Sequence, residues 1–105
     1  MAASYALLLV KELVKEGKYL VTFSALQSAV LMGFLDEDIT DCIVNFLQPS
    51  HFYKTMASEQ RSGLMQDVYK ITYEGKRVYL KLQINQSGLA VIVSFKGTRA
   101  TLRRP

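Results

Sequence analysis

A chain of 105 residues that is half apolar and 21% charged has the balance of a single globular domain rather than of a disordered chain. One cysteine and one histidine exclude an internal disulfide and an ordinary zinc site, and no apolar run approaches the about 20 residues of a bilayer-spanning helix. The net charge of +4 hides an asymmetry: residues 1–52 carry three lysines against six acids, residues 53–105 ten Lys or Arg against three.

In chain order, Ala6 to Glu16 reads as an amphipathic helix with an apolar stripe of Leu9, Val10, Leu13 and Val14. Ser4 is its expected N-cap and Gly17 its C′ residue. The apolar run Tyr5 to Val10 lacks a basic leader and a small-residue cleavage site, so it is not read as a signal peptide. With a lone Cys42, a reducing, cytoplasmic compartment is expected. "KYLVT" is a short extended piece. A second helix is expected from about Ser24 to Met32, capped by Thr22 or Ser24 and closed by Gly33. A third starts at Asp36, with Glu37 and Asp38 suiting the dipole of its first turn. Ile39, Cys42, Ile43 and Phe46 form its apolar face, which makes Cys42 a small core residue rather than a nucleophile, and Pro49 lies beyond its end.

The period then changes. "HFYKTM" is a short strand or edge segment, and Gln66–Tyr73, Arg77–Asn85 and Leu89–Lys96 are runs of alternating or apolar β-formers. Helices followed by consecutive strands with short connections predict an α+β fold. N-terminal helices then cover one face of a C-terminal antiparallel sheet, in one domain over residues 1–105.

Parity sorts the side chains. Directly opposite residues of an antiparallel pair point the same way. If Val78, Leu80, Leu82 and Ile84 face the core with Leu89, Val91, Val93 and Phe95, then Tyr79, Lys81 and Gln83 share the other face with Ser94 and Lys96. A two-residue turn at Glu74-Gly75 puts Tyr69 and Ile71 inside and Gln66, Val68 and Lys70 on the Tyr79 face. A three-residue turn would bury the Lys70 ammonium, at high cost. The helix-free face then carries Gln66, Lys70, Tyr79, Lys81, Ser94 and Lys96, with Arg77 at its rim, Lys54 brought in by the edge segment, and Asp67 at its margin.

Such a face can be merely solvated. A solubilising face normally mixes signs, however, and this one is basic around a phenol. Cations beside a tyrosine suit phosphate contact and base stacking. They also suit phosphodiester cleavage, which needs proton transfer at the 2′-OH and at the leaving 5′-oxygen, and positive charge around the transition state. A non-catalytic RNA-binding module and a protein-interaction domain would use the same face. His51, beside "FYK", has no partner in the pattern and reads as incidental.

The fragments "HFYKTM", "LMQDVYK", "RVYLKL" and "VIVSFKG", in this order and spacing, resemble the motility quorum-sensing regulator (MqsR) toxins, RNA-cleaving members of the RelE-like group of bacterial type II toxin–antitoxin systems. "VKELVKEG" and "TFSAL" resemble that family's first helix and following segment, so the resemblance covers nearly the whole chain. It implies catalytic roles for Lys54, Gln66, Tyr79 and Lys96, with Lys70, Arg77, Lys81 and Arg99 as RNA-binding residues. It also implies an endoribonuclease without metal or cofactor that cuts mRNA at short GC-containing sequences independently of the ribosome. The implied partner is a cognate antitoxin with a zinc-binding domain and a DNA-binding helix-turn-helix domain; operator DNA would be met only through that complex. The basic tail "GTRATLRRP" departs from the family pattern and is expected to be an RNA-contacting arm.

Overall fold

A computed structural model of the protein describes residues 2–58 and 63–98. Helix α1 (Leu7–Lys15) leads through strand β1 (Tyr19–Val21) into α2 (Phe23–Leu31) and α3 (Asp36–Asp41). Four strands follow: β2 (Phe52–Ala57), β3 (Met65–Tyr73), β4 (Lys76–Ile84) and β5 (Ala90–Gly97). They form one five-stranded sheet in the order β1-β5-β4-β3-β2. The architecture is the expected α+β. The sheet is mixed rather than purely antiparallel, because the "KYLVT" piece joins it as β1, parallel to β5. No helix among the described residues is long and apolar enough to cross a membrane.

The helices cover one sheet face. Val10 and Val14 of α1, Ala25 and Ala29 of α2, and Ile39 of α3 are buried against Tyr69, Ile71, Val78, Leu80, Leu82, Ile92 and Phe95. Leu9, expected in the α1 stripe, instead lies 49% exposed. Ser4 does not cap α1 either. Its backbone N–H and that of Tyr5 donate to the two oxygens of the buried Asp67 carboxylate, at 2.9 Å each. Asp67 therefore sits on the helix side, two residues from Tyr69 as alternation requires, and not at the margin of the basic face. The two charge-assisted bonds offset the cost of burying it.

Thr22 caps α2 by accepting the Ala25 N–H, and Gly17 and Gly33 follow α1 and α2 as expected. Beyond Asp41 the third helix widens into a π-helical turn over Cys42–Phe46, with the Leu47 N–H reaching back five residues to the Cys42 carbonyl. The extra residue in that turn swings Leu47 into the core and leaves Phe46 half-exposed, its ring edge-on to Tyr73. Cys42 is fully buried, and burial pushes its thiol up to about 12, as fits a packing residue.

Asp41 ties this helix to the sheet. Its carboxylate accepts from the Tyr73 hydroxyl at 2.6 Å and from the Asn45 amide at 2.7 Å. Those bonds, Tyr73 first, hold it below the usual carboxylate range. A carboxyl with a depressed folded-state pKa stabilises above its unfolded value, about 3.9, and that contribution is lost as pH falls through the folded value. Tyr73→Phe should therefore flatten the acid limb below about pH 4 in urea-unfolding midpoints measured against pH. Parallel profiles for the two proteins would contradict the link.

Candidate active site

The hairpin that carries most of the site is fixed by its turn. Glu74 and Gly75 have φ of 50° and 79°, the left-handed pair of a two-residue hairpin turn that glycine adopts without strain. The register follows: Lys70 lies opposite Tyr79, Val68 opposite Lys81, and Tyr69 opposite Leu80. On the other side of β4, Tyr79 lies opposite Lys96 and Lys81 opposite Ser94. Lys70, Tyr79 and Lys96 thus form one row across the helix-free face, and Val68, Lys81 and Ser94 the next.

Two bulges then shape the face. On β2, Phe52 pairs with Tyr69 and Lys54 with Val68, leaving Tyr53 as an extra residue. Phe52 packs edge-on against Tyr69 in the core, whereas Tyr53 and Lys54 both emerge on the helix-free side. The Lys70 ammonium lies 3.9 Å from the Tyr53 ring centroid and that of Lys54 5.6 Å away, so the Tyr53 ring is held among cations. On β5, Ser94 pairs with Lys81 but Ile92 with Leu82, so Val93 is the extra residue. This overturns part of the expected register. Phe95 faces the core as predicted, but beyond the bulge Ala90 and Ile92 are the buried residues, while Val91 and Val93 are only partly covered.

Lys54, Gln66, Tyr79 and Lys96 consequently lie on one face, spread over β2 to β5. The Lys96 ammonium is 5.2 Å from the Tyr79 ring centroid. Gln66 is 8% exposed and donates from Nε2 to Gln83 Oε1 at 2.9 Å. Its own Oε1 has no partner among the described residues. Burial, and then the neighbouring Tyr53, raise the Tyr79 phenol above its ordinary value, so it keeps its proton at neutral pH. Val68 is fully buried on this side, outside the helix-side core. Its pairing partners Lys54 and Lys81 flank it, and their aliphatic stems can cover it while their ammonium groups stay wet.

Lys70 and Arg77 are exposed, and Lys81 is partly covered on the same face. Arg99 and all of the basic tail except Gly97 and Thr98 lie outside the described residues. His51 stands apart: its Nδ1 accepts the Gln48 N–H at 3.0 Å, closing the short turn Pro49–His51. Among the described residues no group of His, Cys, Asp or Glu gathers into a metal cluster. Sequence reasoning missed Tyr53, because strict alternation with Lys54 sends it to the opposite face. Nothing in the composition of "HFYKTM" marks the bulge that brings it out.

With Asp67 turned away, the face from Lys54 to Lys96 holds cations, amides and two phenols, a set that can bind phosphate, stack bases and hold a proton beside a phosphodiester. The comparisons with known proteins agree with this chemistry. The chain is 39% identical over 87 residues to the mRNA interferase toxin MqsR of Escherichia coli (strain K12), covering 83% of this chain and 86% of that protein. Residues 2–97 match the family described as motility quorum-sensing regulator, toxin of MqsA, and the chain belongs to that family.

Proposed function

We propose that the protein is an endoribonuclease toxin of a type II toxin–antitoxin pair, and that it cuts mRNA on the helix-free sheet face without metal, cofactor or ribosome. The observation that carries this reading is the common orientation of Lys54, Gln66, Tyr79 and Lys96 across four strands, with Asp67 on the other side. The 2′-oxygen attacks the adjacent phosphorus and the 5′-oxygen leaves, giving a 2′,3′-cyclic phosphate and a 5′-OH. Tyr79, which keeps its proton, donates to the phosphoryl or leaving oxygen. Lys81, with whichever of Lys54 and Lys96 is not the base, holds the charge of the transition state. Gln66 Oε1, without a partner among the described residues, is an acceptor for the attacking hydroxyl. The amine that takes its proton is Lys54 or Lys96, and a pH–rate profile of each Lys→Arg variant separates them.

Cleavage at short GC-containing sequences, and neutralisation by an antitoxin that binds zinc through one domain and operator DNA through another, extend the same proposal; family membership supports them. The test incubates purified protein, with chelator present, on single-stranded RNA and on DNA of the same sequence. Cut RNA bearing cyclic phosphate ends beside intact DNA is expected. Salt-dependent binding with RNA left intact after long incubation would instead favour a non-catalytic RNA-binding module.

A further inference from the structure

Below the catalytic rows the same face ends in a cleft of about 330 Å³ that none of the roles above uses. Its polar lining is Gln83, Asn85, Gln86 and Ser87, and its apolar walls come from Leu20, Leu64 and Val91. Among the described residues no charged side chain lines it, which sets it apart from the cationic rows. The apolar walls and amides suit an unstacked nucleobase, which single-strand recognition reads by its hydrogen-bonding edge.

Hydrogen bonds orient two amides, Asn85 through two backbone N–H groups and Gln83 through Gln66. Gln83 accepts from Gln66 through Oε1, which leaves Nε2 to donate. Asn85 accepts the Ser87 and Leu89 N–H groups through Oδ1, at 2.9 and 3.0 Å, which leaves Nδ2 to donate. Neither nitrogen has a partner among the described residues, and both side chains line the cleft. Gln83 and Asn85 are two positions apart, about 7 Å along the chain. Two neighbouring donors match a base edge with two acceptors. Guanine presents O6 and N7 as such a pair and cytosine O2 and N3, whereas adenine presents a donor beside N7 and beside N1.

We propose that this cleft is a base-reading subsite that selects guanine or cytosine over adenine near the cut, with Gln83 and Asn85 as the reading residues. The inference rests on the ribonuclease reading and names where its sequence preference arises. Gln83 lies about 13 Å along β4 from Tyr79, a short reach of single strand. Its bond to Gln66 joins the occupied cleft to the catalytic rows.

The test is a single-stranded RNA library randomised around the cut, with fragment ends sequenced and relative kcat/KM obtained for each base. Wild type should favour guanine or cytosine over adenine at one flanking position. Asn85→Asp keeps the Oδ1 acceptor that builds the turn but replaces the outward donor with an acceptor. It should lower that preference over adenine roughly tenfold, the span of one to two good base contacts. Leu20→Trp, at a half-exposed site where added bulk need not disturb the core, should fill the cleft and give the same loss. A preference unchanged in both variants, or a rate reduced equally for all four bases, would overturn the subsite. A wild type that cuts with no base preference would do so as well. A wild type that leaves the whole library intact overturns the ribonuclease reading itself.

Discussion

Replacing Tyr79 by Phe should lower RNA cleavage by about 10²–10⁴-fold, the span typical of a lost general acid. The variant should fold and melt like the wild type. The ring stays near the Lys96 ammonium, the strand register is set elsewhere, and only a hydroxyl on the helix-free face is removed. The raised pKa sharpens the expectation: the phenol is a proton holder at neutral pH, so its loss removes a donor and not an anion. Single-turnover kinetics on a short RNA read the effect directly. A loss confined to KM would make Tyr79 a stacking residue. A rate within threefold of wild type would remove it from the chemistry.

Leu80→Ala should destabilise the protein by about 2–5 kcal/mol, the cost of emptying a fully packed leucine site. Leu80 is fully buried between Tyr69 and Phe95 on neighbouring strands, and it is flanked in sequence by the site residues Tyr79 and Lys81. A small domain has only about 5–15 kcal/mol in hand, so the variant should unfold at far lower urea, with the slope of the transition unchanged. The alternation that buries Leu80 is what aims its neighbours outward. A cost below about 1 kcal/mol would mean that the core does not anchor the catalytic face as described.

The β3–β4 register was legible because a three-residue turn would have buried the Lys70 ammonium; with the two-residue turn, parity puts Lys70, Lys81 and Tyr79 together. β5 was legible only above its bulge. Ala90 and Ile92 are as apolar as Val91 and Val93, so nothing in composition marks which pair is buried, and one inserted residue exchanges them. Tyr53 was lost for the same reason on β2. Asp67 shares the parity of Tyr69 and Ile71. A carboxylate is nonetheless a poor candidate for burial until its partners are known, and those partners are backbone N–H groups more than sixty residues earlier. The parallel pairing of β1 was invisible because three residues carry no period and their partner lies at the far end of the chain. Of the site, Lys54, Gln66, Tyr79 and Lys96 were found partly through family resemblance. Parity had placed the last three on one face independently.

The helix-free side of the sheet as the seat of the RNA is tested most directly by photocrosslinking. A single-stranded RNA carrying 4-thiouridine, with a 2′-deoxy sugar at the cut to block cleavage, is crosslinked to the wild-type protein and the modified peptides are mapped by mass spectrometry. Crosslinks should gather on Tyr53, Tyr79, Lys81 and Lys96. Crosslinks gathered on the opposite side, at Leu8 of α1 or at the exposed Phe23 and Leu31 of α2, would contradict the account.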